Sequence, residues 1–178
     1  MDIVSATQTT IEQAQAWARS KGATEIFVAL AAFYWEFAGE RSINPEGAYC
    51  QAAHETGFGK FGGTDPVFSA TADMHNLCGL KTKDASATAK FSSWEEGIVA
   101  HVDHLALYAG RTGYPKADSP DPRQFPSIAG IANTFVKLGG HWAPDTLYGQ
   151  HIEELMQEIY AFKNAEAKLK EIGLIINS

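Results

Sequence analysis

The run from Ile26 to Ala38 constrains this chain most, because Glu36 is its only charged residue. Ile26, Phe27, Leu30, Ala31, Phe33, Tyr34 and Phe37 leave a helix from about Thr24 to Ala38 apolar on most sides. Such a helix needs neighbours around it, so the pattern predicts it at the centre of a core. It falls short of the roughly 17–25 residues that cross a bilayer, which makes it a buried helix and excludes membrane insertion as an expectation. At 178 residues, 45% of them hydrophobic and 20% charged, the chain suits one soluble domain large enough for a real core.

The other elements read as helices around that one. Thr9-x-x-Glu12 has the form of a capping box for a first helix through about Ser20, with Ile11, Ala14 and Trp17 or Ala18 on one face. Asn44-Pro45 offers an N-cap followed by proline at the first helical position, predicting a third helix from about Pro45 to Thr56. From Gly57 to about Lys90 no helical period persists, and loops with a short hairpin are expected. Ser92-Ser93-Trp94-Glu95-Glu96 holds two overlapping capping boxes, and Ile98, His101, Val102, Leu105 and Tyr108 follow at helical spacing. Pro115, Pro120, Pro122 and Pro126 mark an ordered surface loop. A helix is expected from about Ser127 to Leu138, and Asp145 can cap a last long one with a stripe of Ile152, Leu155, Met156, Ile159 and Phe162. The fold class is therefore mainly α. Residues 1–163 read as a single domain and 164–178 as a C-terminal tail or linker.

Charge and cysteine content narrow the functions. The formal net charge is -7 and no Lys/Arg-rich run occurs, so nucleic acid is not an expected partner. Met1-Asp2-Ile3-Val4 starts no basic segment followed by an apolar stretch, so no signal peptide is predicted. Cys50 and Cys78 are too few for a disulfide framework; buried thiols are expected, with one bridge as the alternative.

Glu55 is the candidate for chemistry. It stands in the last turn of the third helix, where Ala52-Ala53-His54-Glu55-Thr56-Gly57-Phe58-Gly59 gives way to a glycine-rich, aromatic loop. Apolar neighbours and a partly closed cleft would disfavour its charged form and raise its pKa. A glycosidase acid needs that shift, since it must carry a proton at neutral pH to a leaving sugar oxygen. The ordinary alternative is a solvated Glu at a helix end.

Five motifs in order resemble the glucosaminidase family of bacterial and phage cell-wall hydrolases. They are Ala53-His54-Glu55-Thr56-Gly57-Phe58-Gly59, Asn76-Leu77-Cys78-Gly79-Leu80-Lys81, Phe91-Ser92-Ser93-Trp94-Glu95-Glu96-Gly97-Ile98, Leu138-Gly139-Gly140-His141-Trp142-Ala143-Pro144 and Tyr148-Gly149-Gln150-His151-Ile152. The resemblance covers roughly residues 25–162. It implies a lysozyme-like helical domain with a small loop or hairpin lobe beside a substrate cleft. It also implies hydrolysis of β-1,4 bonds in the peptidoglycan glycan strand, most often as an endo-β-N-acetylglucosaminidase. The expected setting is the bacterial cell wall, as a bacteriolytic endolysin or autolysin. Without a signal peptide the chain would be a phage lysin released through membrane holes, part of a virion, or a domain of a longer secreted enzyme with further wall-binding domains, and no cofactor or metal is expected.

Residue by residue, the resemblance makes Glu55 the catalytic acid and Tyr148 a catalytic-site tyrosine facing the cleft, whose hydroxyl would hold the substrate N-acetyl group or a water, the alternative being a Tyr that serves only its own helix. Asn76 would orient a sugar or brace its turn, and Gly79 and Lys81 would shape that turn. Relatives carry a second Glu on a hairpin in the next lobe, but Thr82 to Lys90 contains only Asp84. Two routes are therefore open: Asp84 as partner, or the substrate's own N-acetyl oxygen as nucleophile, which is favoured. Asp65, Asp73, Glu95 and Glu96 are weaker candidates. Trp142 and Phe58 are candidate platforms for the apolar faces of sugar rings, with core packing as their alternative.

Competing readings remain on the same residues. A muramidase or lytic transglycosylase would rely on one Glu in the same way, and a non-catalytic wall-binding module would keep the cleft without turnover. His101 and His104 share a helical face in the manner of zinc ligands, but Phe58 stands where His54-Glu55 would need a second His for a zincin. His75 and Cys78 are the residues a Cys-His peptidase would use.

Overall fold

Five helices build the body: α1 (Ile11–Ser20), α2 (Glu25–Glu40), α3 (Pro45–Thr56), α4 (Trp94–Tyr108) and α5 (Tyr148–Glu171). The computed structural model describes residues 1–65 and 67–171. Among these, extended pairing is confined to isolated bridges: Asp2 with Thr134, Lys81 with Thr88, and Gly139 with Ala143. The domain is mainly helical, as its sequence pattern predicts.

Side chains that accept orphan N–H groups set the helix starts. Thr24, Asn44 and Ser93 accept from the backbone of Phe27, Gly47 and Glu96. The box of α1 is Thr10 with Gln13, one residue beyond the Thr9–Glu12 pair. The reason is tertiary: the Thr9 N–H and hydroxyl both donate inward to Glu46 Oε1, at 2.8 and 3.0 Å.

The centre of the core is α3, not the more apolar α2. Every α3 residue from Pro45 to Ala53 is buried, whereas α2 leaves Ile26 57% exposed and turns Glu25, Ala29, Ala32 and Glu36 to solvent. Small residues let neighbours close on α3: a Cβ on Gly47 would lie 2.0 Å from Phe135 Cζ. Its polar residues find partners inside, Glu46 by holding Thr7, Gln8 and Thr9, and Gln51 by bridging Tyr148 and His101. Around it, α2 packs on α1, α3 and α4, while α5 packs on α3 and α1.

Two boundaries differ from expectation. No helix spans 127–138; short 3-10 turns at Pro126–Ile128 and Val136–Leu138 flank an irregular piece instead. The N-terminus takes the backbone groups a helix would have used, since Ile3 N–H donates to Asn133 O and Phe135 N–H to Met1 O. At the other end, α5 runs on to Glu171, so the last helix continues through the first part of the segment read as a tail or linker. The rest of that expected tail, 172–178, lies outside the described residues.

Gly57 to Lys90 covers the C-terminal end of α3 as a lobe of loops. The expected hairpin is there, closed by Ala89 N–H to Leu80 O at 2.8 Å and Thr82 N–H to Ala87 O at 2.9 Å. Its base carries a small apolar cluster of Cys78, Leu80, Ala89, Phe91 and Ala100, with Trp142 packed against it.

Candidate active site

The end of α3 is turned sharply by left-handed residues. Gly57, Phe58 and Gly59 all have positive φ, at 57°, 62° and 79°. Gly59 is required on two counts, because a Cβ there would also come within 2.6 Å of Thr24 Oγ1. Thr56 bolts the reversal by donating its hydroxyl to Ala52 O at 2.7 Å and accepting Gly59 N–H at 2.8 Å. The chain thus leaves the helix one residue after Glu55 and folds back as the lip of a recess.

That recess measures about 210 Å3 and is lined by Glu55, Phe61, Gly62, Gly63, Phe68, Ser69 and Gly79, among others. Glu55 is open to water on its recess side, while protein atoms crowd the rest of its carboxyl. The Tyr148 hydroxyl donates to Oε1 at 2.5 Å. Gly79 approaches the other oxygen so closely that a Cβ would stand 3.2 Å from Oε2, and its φ of 67° also suits glycine. Desolvation raises the Glu55 pKa above the ordinary Glu value; the Tyr148 bond, the Lys81 ammonium and the Trp142 indole oppose it without cancelling it. The result is a reachable acid that keeps its proton to higher pH than a surface Glu.

The remaining residues named from sequence separate into two groups. Trp142 stands half-buried at the site, with Nε1 donating to Cys78 O at 3.3 Å and its ring against His101, His104 and Tyr108. Lys81 lies over the Phe68 ring, 4.5 Å from its centroid, and donates to Phe68 O at 3.2 Å, tying the hairpin to the loop that walls the recess. Asn76 lines the recess but is fully buried, and its amide serves backbone: Nδ2 donates to Leu80 O and Ala89 O, and Oδ1 accepts from Leu80 and Cys78 N–H. It braces the turn that carries Gly79.

Phe58 and Asp84 are not brought to the recess. Phe58 points into the core, 5.4 Å from the Trp17 ring and 6.2 Å from Phe27, because its left-handed backbone swings the side chain inward. Asp84 sits at the hairpin tip, where its Oδ1 accepts from the Thr82 hydroxyl at 2.6 Å, the Ser86 hydroxyl at 2.8 Å and Ser86 N–H. Those bonds hold its pKa down to about 2, the opposite of a proton carrier. Asp65, Asp73 and Glu96 are held the same way by local turns and caps. Among the described residues, Glu55 is the one carboxylate lining the recess.

Among the described residues, the histidines and cysteines of the metal and Cys-His readings are engaged elsewhere. His101 is sandwiched between the Tyr34 hydroxyl and Gln51, while His104 pairs with Asp121 at 2.7 Å, so the two rings serve different partners. His75 Nδ1 bonds Phe91 O, and Cys78 is a free, buried thiol whose pKa burial pushes far up. Cys50 is likewise free and buried. Sequence reading missed Phe61 and Phe68, which bear no motif, and Gln51, which looks like an ordinary polar residue of a helix.

A family model for glucosaminidase, described as mannosyl-glycoprotein endo-beta-N-acetylglucosaminidase, matches residues 31–161. An uncharacterised protein of Borreliella burgdorferi is 33% identical over 124 residues, covering 69% of this chain and 58% of that relative. The match thus spans less than two thirds of the relative's length. No solved structure matches the chain.

Proposed function

Because the chain belongs to the glucosaminidase family, we propose that it hydrolyses β-1,4 bonds of the peptidoglycan glycan strand as an endo-β-N-acetylglucosaminidase, with Glu55 as general acid and then general base. The observation that carries this reading is the Glu55 carboxyl itself: raised in pKa, open to the recess, and bonded through Oε1 to Tyr148. Protonated on Oε2, it hands its proton to the bridging oxygen as the bond from the anomeric carbon breaks.

Among the described residues, no second carboxylate lines the recess to act as nucleophile. The substrate's 2-acetamido oxygen supplies that function, bonding to the anomeric carbon to give an oxazolinium ion with release of the leaving sugar. The Glu55 carboxylate then takes a proton from water, whose oxygen adds to the anomeric carbon and reopens the ring, with net retention. The family description names a mannosyl-glycoprotein substrate; what it shares with the proposed one is a β-linked N-acetylglucosamine. Phe68, 46% exposed at the recess wall, offers an apolar face to that sugar.

Mass spectrometry of muropeptides after digestion of purified peptidoglycan tests the proposal. Wild type should yield reducing-end N-acetylglucosamine, Glu55→Gln should lose several orders of magnitude of activity while folding normally, and Asp84→Asn should stay active. Reducing-end N-acetylmuramic acid or a 1,6-anhydro sugar would reassign the bond or the reaction. Near-normal turnover by Glu55→Gln would remove it from the chemistry altogether.

A further inference from the structure

Behind Glu55 runs a line of buried side chains that the reaction above does not use. The Tyr148 hydroxyl, donor to Glu55 Oε1, itself accepts from Gln51 Nε2 at 2.9 Å. The Gln51 amide therefore turns its Oε1 the other way, towards His101 Nε2 at 3.1 Å. An amide oxygen can only accept, so His101 carries its proton on Nε2 and leaves Nδ1 as an acceptor for the Tyr34 hydroxyl at 2.9 Å. Each link fixes the next: Tyr34 to His101, His101 to Gln51, Gln51 to Tyr148, Tyr148 to Glu55. All the donors point at the carboxyl. Tyr34, Gln51 and His101 have no exposed surface and Tyr148 has 4%. They come from α2, α3, α4 and α5, so four helices meet in one array.

We propose that the Tyr34–His101–Gln51–Tyr148 array is a positioning device for Glu55, aiming an O–H at Oε1 in both charge states so that the acid's proton resides on Oε2, beside Gly79 and the recess. A carboxyl whose Oε1 always accepts cannot place its proton there. Each donor also polarises the next in a chain of low-dielectric bonds, strengthening the last one and stabilising the carboxylate after proton transfer. Burial keeps His101 neutral, with its pKa lowered to about 3, so the array does not reverse by gaining a proton near neutral pH. The inference rests on Glu55 being the acid.

Other groups bear on the same atoms. Lys81 of the hairpin and Cys78 of the preceding turn face Glu55. Cys78 and the His54 ring face Tyr148, with His151 beyond His54. His104 lies one turn along α4 from His101, and Tyr49 and Cys78 face Tyr34. All of these remain when an array member is changed, so a moved profile reports the array.

The test is kcat/KM against pH, whose alkaline limb reports loss of the acid's proton. Tyr34→Phe and His101→Leu should each move that limb upward by about half a pH unit, because a weaker donor at Oε1 stabilises the carboxylate less. His101→Gln restores a donor towards Gln51 and an acceptor towards Tyr34, and should return the limb to its wild-type position. Tyr49→Phe is the control: that hydroxyl is as buried but donates to Phe27 O, and its removal should leave the limb in place. Carbon-13 titration of the Glu55 carboxyl in Tyr34→Phe reads the same shift without turnover, should His101→Leu fold poorly. The array is overturned if Tyr34→Phe titrates like wild type, or if His101→Gln shifts as far as His101→Leu. With Glu55→Gln inactive, those outcomes would sink the array alone; an active Glu55→Gln would sink it together with the proposed function.

Discussion

Glu55 combines two requirements that conflict elsewhere in the protein, being crowded enough to resist ionisation and open enough to meet a substrate. Its raised pKa has a cost in stability whose sign can be stated. The native state holds this proton above the ordinary Glu value near 4.5, where the unfolded chain has released it. The contribution to stability is therefore full below that value and is lost as pH rises through the native pKa. Glu55→Gln does not titrate there. Its melting temperature should exceed that of wild type at pH 7, and the gap should shrink towards zero as pH falls below about 4.5; thermal melts across that range check it. A gap that is constant with pH would mean the carboxyl is not perturbed. The position of Glu55 at a helix end before Gly57-Phe58-Gly59 was legible because local chain geometry decides it. Whether an aromatic faces a cleft is decided by backbone hand and distant neighbours, which is why Phe58 turned to Trp17 and unmotivated Phe68 reached the recess. Gln51 was invisible for the same reason: its four-helix array exists only after packing.

At the scale of elements, helix ends were more readable than helix environments. Asn44-Pro45 and Gly57 bound α3 where the capping pattern put them, since caps are chemistry within a few residues. Hydropathy chose the wrong helix for the centre, because close approach favours small residues over greasy ones. A matched pair of substitutions isolates that effect. Gly39→Ala near the end of α2 meets nothing within 4 Å, and the better helix former should stabilise by up to about 1 kcal/mol. Gly47→Ala in α3 has the same intrinsic gain, but its Cβ would fall 2.0 Å from the Phe135 ring. Overpacking of that kind costs about 1–3 kcal/mol, so urea denaturation should show Gly47→Ala net destabilised. Equal effects at the two glycines would show that Phe135 yields freely. The missing helix at 127–138 belongs to the same lesson. Ile128, Ile131, Ala132 and Phe135 have a helical rhythm, yet Met1 and Ile3 compete for the backbone of that segment and win.

Across the whole molecule, the core does not respect the limits of the family match. That match begins at residue 31, but Ile3, Ala14, Trp17 and Ala18 are buried with the rest of the core. The N-terminal segment is pinned from both sides: Glu46 on α3 holds residues 7–9, and the Met1 amino group pairs with Glu153 on α5. Trp17 on α1 packs edge-on to Tyr49 of α3 and tilts against Phe58, three residues beyond Glu55. The first helix therefore buttresses the turn that follows Glu55. Burying one large aromatic is worth about 3–5 kcal/mol on the scale of truncation to Ala, a large share of the roughly 5–15 kcal/mol that holds a domain together. Removing residues 1–23 would strip that aromatic, expose Phe27, Ile43 and Tyr49, and leave Glu46 buried without Thr7, Gln8 and Thr9. The truncated chain should show no cooperative thermal transition and no glycan cleavage, and Trp17→Ala should lower stability by several kcal/mol with a parallel loss of activity at temperatures near its melt. A truncated chain that melts sharply and still cleaves the glycan would place α1 outside the functional body.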